Sequence, residues 1–548
     1  MIPDQARSGI NFYHLSPRRM LGAYVASDLT IQSIAQSIPT KTLIAQQQLL
    51  DQLVHPTAVL KTLKQVQLPL LALRKIDTTS LQTAIQTFAS SEEAFQPPSS
   101  DQLLQETTEQ IIWNPSSTLG RVCNQSPLLL ESLLTWKTLA LPAMTILAPL
   151  FAVVVPYIFL SLYGLQPSVQ QYLQTIRQTV RGAITVPSLF QAKGDSDRFG
   201  FVLESLYMCI TIGIILSSMW NQVTSALHLR SVADTLREKG TRMRTGLDAA
   251  QSILTCLKSY PAKIQRGLQH LIEEGTTVLQ PFQSIHDTGL GLFAHMWNDA
   301  TPLQPLVAWV GRVDSCVAIA SLKKICFPRW SPHTTQIDLQ GVYHPALSNA
   351  VPNNFTLINH SASILTGPNR GGKSTFCKAI GISILCAQTL GIAFATHATL
   401  TPFARIETAL SPADTLGRLS LFEAEIEFAR SVVEAEQSPM FVMMDEIFHS
   451  TNAHDGVEAS RVFLNRLYAR PNTISLISTH YRALADEYKE TVSLLQAHTL
   501  PTSTGLHYTY EIVPGISTAS SVMEILQERG LLCAESSSLQ KTDPFCRT

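Results

Sequence analysis

One glycine-rich stretch decides the fold of this chain: Gly367-Pro368-Asn369-Arg370-Gly371-Gly372-Lys373-Ser374. It fits the pattern G-x-x-x-x-G-K-[ST] and lies between the apolar run Ile364-Leu365 and the helical stretch Phe376–Leu390. In this strand–loop–helix context, backbone N–H groups and the helix N-terminus surround phosphate oxygens. The stretch therefore predicts an α/β nucleotide-binding domain with a phosphate-binding loop (P-loop), in which Lys373 reaches the terminal phosphates and Ser374 ligates Mg²⁺.

A second apolar run, Met440–Met444, ends in two carboxylates, Asp445 and Glu446. Asp445 is predicted to hold the Mg²⁺ shell, and Glu446 to orient or deprotonate the water that attacks the γ-phosphate. His480 follows another apolar run, Thr473–Ser478, and can contact the γ-phosphate there. Taken alone, a histidine in that place is more often a capping or packed residue.

These stretches together resemble the ATPase domain of MutS-family proteins. Asp445-Glu446-Ile447 is followed by Thr451 and Asp455-Gly456, and then by Thr479-His480-Tyr481, in that family's order. The segment Ser420-Leu421-Phe422-Glu423-Ala424-Glu425 resembles the family's signature segment. His344-Pro345 resembles the element that begins its ATPase domain, and Asp314-Ser315 with Ala318 the end of its helical core. The resemblance covers residues 336–530 and extends more weakly over 1–130 and 231–335.

The resemblance implies a homodimer with ATP sites at the subunit interface, where Ser420 of one chain reaches the γ-phosphate bound by the other. The stretch Glu511–Gly530 would help the two ATPase domains to associate. The predicted cofactors are ATP and Mg²⁺. The candidate catalytic residues are Glu446, His480 and Lys373, the metal ligands are Ser374 and Asp445, and the nucleotide-binding residues are Gly367, Pro368, Asn369, Arg370, Gly371, Gly372, Lys373, Ser374, Thr375 and Ser420.

The chain departs from the family pattern at three places. Phe448-His449-Ser450 stands where the family has a Gly-Arg-Gly-type run, and Ala350 where it often has an aromatic side chain against adenine. The Phe-x-Glu of the mismatch-reading domain does not occur in the sequence. Base selectivity, turnover and mismatch recognition therefore do not follow from the resemblance.

Charge and cysteine content exclude several other classes. The 40 basic and 41 acidic residues give a formal charge of -1, so no global positive field indicates nucleic-acid binding. The nine cysteines include no C-x-x-C pair, which argues against a zinc site or a disulfide framework and favours an intracellular protein.

Two uncharged segments predict a membrane hairpin. Only 15% of the residues are charged and the mean hydropathy is +0.12, values that are unusual for a soluble chain. Thr138–Ile176 and Ser205–Leu227 contain no charged residue. Each contains a stretch long enough to cross a hydrocarbon layer of roughly 30 Å as a helix, at about 139–165 and 205–225. The alternative is a pair of helices buried in a soluble core.

The predicted protein is therefore multidomain, with a helical core or lever region and a C-terminal α/β domain of the ABC-type, MutS-like class. The predicted divisions are a helical region at 1–136, the hairpin at 137–230, a helical region at 231–335 and the ATPase domain at 336–548. Within 231–335 the helical pattern is expected to break at Pro261, at Gly275 and near Pro302.

The functional hypothesis is a membrane-anchored MutS-like ATPase, with its ATPase domain on the cytosolic side and a possible link to double-stranded DNA. One alternative is a soluble mismatch-repair or recombination factor, which could lie in the nucleus or nucleoid. Another is a membrane ATPase that binds no DNA. An ABC-type transporter is disfavoured, because no Leu-Ser-Gly-Gly precedes Met440 and two spans are few for a transport pathway.

Overall fold

A computed structural model describes residues 20–96, 102–113, 117–164, 168–183, 196–285, 287, 289–358, 362–410, 421–502 and 505–529. The chain forms two compact units, each built from separated segments. The first unit comprises Met1–Ala89, Ala250–Val278 and Pro305–Thr548, and the second comprises Ser90–Ala249 and Leu279–Gln304. The helical segments predicted at 1–136 and 231–335 each contribute to both units.

Helices make up most of the chain. They are α1 (Val25–Asp28), α2 (Ile31–Ser37), α3 (Leu43–Leu53), α4 (Leu60–Leu73), α5 (Thr79–Ser91), α6 (Gln102–Ile111), α7 (Thr118–Asn124), α8 (Pro127–Thr135), α9 (Leu141–Leu162), α10 (Val169–Ala183), α11 (Ser196–Ser259), α12 (Ala262–Leu279), α13 (Gly289–Asn298), α14 (Leu303–Ser321), α15 (Lys373–Leu390), α16 (Leu421–Val433), α17 (Ala453–Tyr468), α18 (Arg482–Glu487) and α19 (Val522–Glu528).

In the part of the first unit that the structure describes, ten strands form two sheets. They are β1 (Arg329–Trp330), β2 (Ile337–Val342), β3 (Asn353–Leu357), β4 (Ala362–Thr366), β5 (His397–Leu400), β6 (Arg405–Ala409), β7 (Met440–Met444), β8 (Thr473–Ser478), β9 (Ser493–Thr502) and β10 (Gly505–Pro514). The smaller sheet has the order β1-β5-β2-β3, and the larger β10-β9-β4-β8-β7-β6. The predicted combination of a helical region with an α/β region is therefore observed.

The centre of the larger sheet is parallel and buried. β4 pairs in parallel with β8 and β9, and β7 pairs in parallel with β6 and β8. Every residue of β4, β7 and β8 is buried, which explains why these strands consist of apolar and small residues, because a parallel sheet is covered on both faces. Parallel neighbours end at the same side, so the loops that follow β4, β7 and β8 lie close together.

Helices from the start of the chain pack on α15, the helix that follows the glycine-rich loop. Leu49, Leu53 and Leu70 share one buried cluster with the apolar side chains of α15. Gln52 Nε2 donates to Thr389 O at 2.8 Å and Gln67 Nε2 to Gly391 O at 3.3 Å, so the end of α15 is fastened to α3 and α4.

The segment before α1 pairs with the last strand of the large sheet. Gly22 N donates to Ile406 O and Ile406 N to Met20 O, both at 2.8 Å. The carboxylate of Asp28 accepts from Thr408 Oγ1 at 2.7 Å and from Leu410 N at 3.0 Å. Residues 20–28 thus form part of the α/β structure, although 380 positions separate Asp28 from Thr408 in the sequence.

Trp309 fixes how α12 meets α14 in the first unit. Its ring is fully buried and its Nε1 donates to Leu271 O at 2.8 Å. A Cβ atom at Gly275 would lie 2.4 Å from Trp309 Cζ2. The predicted helix break at Gly275 is wrong, since α12 runs through this position, and the glycine makes room for the indole.

The second unit exposes an apolar helix. α9 contains Pro149 and Pro156, and its apolar side chains, such as Leu150 and Phe159, are mostly exposed. Among the described residues, Pro127–Phe151 and Leu303–Ser321 are long and apolar enough to cross a membrane. An apolar 18-residue stretch of Pro127–Phe151 is 11% buried. The corresponding stretch of Leu303–Ser321 is 67% buried, which is typical of a core helix.

The second predicted span lies within α11. Ile210, Ile214, Leu216 and Trp220 are exposed along that helix. Residue 165 of the first predicted span and the side chains of residues 205, 207 and 208 of the second lie outside the described part of the chain.

Candidate functional site

The glycine-rich loop connects the end of β4 to the start of α15. Gly372 has φ +87°, a conformation that glycine adopts without steric cost. A Cβ atom at Gly367 would lie 2.7 Å from Ala497 Cβ, so a side chain would not fit there. These glycines let the loop turn tightly, with the first turn of α15 facing its interior.

Lys373 is the buried cation of the loop. The residue is 5% exposed, and its Nζ donates to Gly367 O at 3.1 Å and to Pro368 O at 3.2 Å. Burial lowers the pKa of this ammonium, an effect that the negative charges of Glu446 and Asp445 partly oppose. A buried ammonium bonded to carbonyl oxygens of its own loop is well placed to bind an anion.

The acidic pair follows β7 and is fixed from β8. Asp445 is buried and its Oδ1 accepts from Ser478 Oγ. The N–H of Glu446 donates to the same hydroxyl at 3.0 Å. His480 Nε2 donates to Glu446 Oε1 at 2.7 Å, and this hydrogen bond lowers the pKa of the Glu446 carboxyl below its usual value. Glu446 is therefore held as a carboxylate.

The backbone after β7 is strained. Glu446 and Phe448 have φ values of +55° and +48°, which residues other than glycine rarely adopt. Phe448 is buried against Phe422 and Phe463 with ring centroids at 6.0 and 6.1 Å. The family's glycine would adopt this conformation freely, whereas in this chain the packing of the phenyl ring must hold it.

A cavity of about 370 Å³ lies beside the loop. One wall consists of residues 369–376, together with Glu446. The other wall consists of residues from the β2–β3 region and one residue of β10; they are Val342, Tyr343, His344, Leu347, Asn349, Ala350, Val351, Asn353 and Tyr510.

Most of the predicted site residues meet at this cavity. Residues 369–375 and Glu446 line it, while Gly367 and Pro368 accept hydrogen bonds from Lys373. Asp445 and His480 do not line the cavity. His480 is bonded to Glu446, which does line it, and Asp445 is bonded to Ser478. Ser420 lies outside the described residues. The hydroxyl of Ser374 and the carboxylate of Asp445 are hard oxygen donors of the kind that suits Mg²⁺.

Tyr510, like Tyr343, is a lining residue that sequence reasoning missed. It has φ +59° at a register shift between β9 and β10. Asn353 holds this shift, because its Nδ2 donates to Tyr510 O at 3.0 Å and its Oδ1 accepts from Ile512 N at 2.7 Å. The sequence signal was the alternation of Tyr508 and Tyr510 with polar residues, but the face that each tyrosine occupies depends on the irregular register. Tyr510 and Tyr343 supply aromatic surface that Ala350 lacks.

Comparison with known proteins finds similarity to MutS proteins. The model of MutS domain V matches residues 363–532. The DNA mismatch repair protein MutS of Pelotomaculum thermopropionicum is 30% identical over 152 residues. That match covers 26% of this chain and 18% of the relative, so the similarity is confined to a small part of each protein.

Proposed function

We propose that this chain, a MutS-family protein through its domain V, binds and hydrolyses ATP with Mg²⁺ and is anchored in a membrane by residues 139–165 and 205–225. The observation that carries the nucleotide part is the buried Lys373 ammonium, placed in one cavity wall with the Glu446 carboxylate. A cation and a fixed carboxylate beside a glycine loop suit phosphoryl transfer to water.

The chemistry can be assigned residue by residue. Lys373 and the N–H groups of the loop bind the terminal phosphates, and Ser374 and Asp445 hold Mg²⁺, which neutralises charge on the phosphate oxygens when it is bound. Glu446 accepts a hydrogen bond from the attacking water and takes its proton. His480 keeps Glu446 oriented and ionised through the 2.7 Å contact.

The base pocket would be formed by aromatic side chains. Tyr510 and Tyr343 line the cavity beside the loop, and offset stacking on an aromatic ring contributes about 0.5–1.5 kcal/mol beyond burial. Residues 342–353 would close the other side of the nucleotide. Adenine selectivity would then depend on these residues, with Ala350 contributing little surface.

The site is proposed to be completed by a second copy of the chain. The family resemblance supports a homodimer in which Ser420 acts in trans, with help from the segment at 511–530. Two ATP sites shared by two chains would couple nucleotide binding to closure of the paired domains.

The membrane part rests on the exposed side chains of α9 and α11. Large apolar residues along both helices face outward; examples are Leu147, Leu150, Phe159, Ile214 and Leu216. Exposed apolar surface of this extent is costly in water and favourable in hydrocarbon. The prolines of α9 are compatible with a spanning helix, where neighbouring groups can satisfy freed carbonyls. The ATPase domain would face the cytosol, where ATP is present.

Nucleotide hydrolysis is tested with detergent-purified protein. Mg²⁺-dependent phosphate release should be lost in Glu446→Gln while nucleotide binding persists, and binding itself should fall in Lys373→Ala. Turnover that is equal in wild type and Glu446→Gln would remove Glu446 from the mechanism.

The membrane anchor is tested by fractionation and labelling. The protein should sediment with membranes and resist extraction with carbonate. The thiol of Cys209, in the second proposed span, should resist maleimides in intact membranes, because the reactive thiolate does not form in hydrocarbon, and should react once the protein is unfolded in detergent. Recovery in the soluble fraction without detergent would favour the alternative of a soluble factor.

A role with double-stranded DNA is a second candidate. Its support is the similarity to a protein named a DNA mismatch repair protein. Duplex, mismatched and branched DNA should then stimulate ATP turnover, and the stimulation should weaken as salt screens phosphate contacts. Turnover that is indifferent to all three would favour a membrane ATPase that binds no DNA.

A further inference from the structure

The run Phe448-His449-Ser450 directly follows the strained turn that carries Glu446. A backbone held at unfavourable φ persists only where surrounding contacts determine it. Phe448 supplies one such contact through its buried ring, and the Phe448 carbonyl accepts from Tyr481 Oη at 3.0 Å. The next two residues supply another contact, which the family pattern did not suggest.

His449 and Ser450 both bind Glu425, a buried carboxylate of α16. Ser450 Oγ donates to Glu425 Oε2, and His449 Nδ1 lies 3.2 Å from Glu425 Oε1. His449 Nδ1 also lies 2.8 Å from Glu446 O, so the histidine connects the two glutamates directly. The Glu425 side chain is 3% exposed, and a buried carboxylate is costly to the fold unless it is paired and hydrogen-bonded.

We propose that Glu425 is a positioning residue for the Glu446 carboxylate, acting through His449 and Ser450. This inference rests on the proposed ATP hydrolysis by Glu446. Glu425 holds the turn at 446–450 in its strained conformation, so the Glu446 side chain keeps its direction toward the cavity. Loss of Glu425 leaves the Ser450 hydroxyl without its partner and removes the carboxylate beside His449, which allows the turn to relax.

The location of Glu425 connects this turn to a second element. α16 begins at Leu421, so Glu425 lies one turn into the helix that follows Ser420. Any displacement of α16 is therefore transmitted to Glu446 through the hydrogen bond of Ser450 and the contact of His449. The contact makes the orientation of the hydrolytic carboxylate depend on where α16 lies.

The test compares Glu425→Ala and Glu425→Gln with Glu427→Ala. Glu427 is a matched control on the same helix, because its side chain is 54% exposed and pairs with Arg430 at the surface. Misplacement of a reacting group by about 1 Å can cost on the order of 10²-fold in rate. Glu425→Ala should lower kcat by about ten- to a hundredfold, with KM and the affinity for a fluorescent ATP analogue within about twofold of wild type. Glu425→Gln, which can still accept from Ser450, should recover part of kcat, and Glu427→Ala should match wild type.

Amide hydrogen exchange over residues 446–450 gives a readout that does not need hydrolysis. Exchange in this segment should be faster in Glu425→Ala than in wild type or Glu427→Ala, while exchange in β7 and β8 stays unchanged. Unchanged exchange over 446–450 would overturn the positioning role even if kcat fell. If wild type itself does not hydrolyse ATP, the proposed function fails, and the exchange data still decide whether Glu425 holds the turn. If Glu425→Ala does not fold, the same comparison is made with Glu425→Gln.

Discussion

Phe448 tests the strained turn, because replacing it with glycine should leave the protein more stable than replacing it with alanine. Removing a buried phenylalanine side chain costs about 3–5 kcal/mol, and both Phe448→Ala and Phe448→Gly pay this cost. At φ +48° a residue with a Cβ atom pays roughly 1–2 kcal/mol that glycine avoids. Relative to alanine, glycine lowers the free energy of unfolding by about 0.5–1 kcal/mol, because the unfolded chain is more flexible at a glycine. Phe448→Gly should therefore be more stable than Phe448→Ala, by about 0.5–1 kcal/mol.

Phe463 is the matched control. It is buried against Phe448 and lies within α17, where alanine is preferred to glycine by about 1 kcal/mol. Phe463→Ala should therefore be more stable than Phe463→Gly. Pulse proteolysis in urea, read from fragments that contain residues 440–480, measures all four variants in the detergent-solubilised protein. If alanine ranks above glycine at both positions, the argument from backbone strain at Phe448 is refuted.

Three further predictions concern other parts of the chain. Gly275→Ala should destabilise the protein by about 1–3 kcal/mol through its clash with Trp309, whereas Gly213→Ala, which meets nothing within 4 Å and lies within α11, should not lower the thermal midpoint. Burial raises the pKa of the Cys386 thiol well above its usual value, so the folded state keeps a proton that the unfolded chain releases. Stability should therefore fall as the pH rises through the ordinary thiol pKa of about 8.5, and mass spectrometry should find Cys386 alkylated only after unfolding. Tyr510→Ala should weaken ATP binding about fivefold, equivalent to a stacking contribution of about 1 kcal/mol. Tyr510→Phe should bind ATP as wild type does. Equal ATP affinities of Tyr510→Ala and wild type in a fluorescence titration would exclude stacking.

The strands that frame the site could be read from the sequence. Met440–Met444 and Thr473–Ser478 are strands with the predicted bounds, because buried parallel strands are short runs of apolar and small residues that end at polar loops. The pattern G-x-x-x-x-G-K-[ST] between an apolar run and a helical stretch indicates a phosphate-binding loop from local residues alone. Both features depend on neighbours in the sequence, which is why they were predictable.

Features that depend on distant contacts were not predictable. The pairing of Asp28 with Thr408 and of Glu425 with Ser450 requires the folded chain, since no local sequence pattern indicates the partner of either carboxylate. The long helix α11 continues to Ser259, although the apolar pattern ends near Leu227, because charged residues extend a helix as readily as apolar ones. Pro261 then marks its end, as the sequence suggested.

The pairing of residues 20–28 with β6 has a practical consequence for work on the isolated α/β region. A fragment that begins at Lys323 would lack this segment, and the N–H and C=O groups of Ile406 would lose their partners on the outer side of the sheet. An uncovered edge strand is a template for pairing with other chains, and aggregation is its usual result. Soluble expression of the α/β region should therefore require residues 20–28, supplied either by fusion ahead of residue 323 or as a separate peptide.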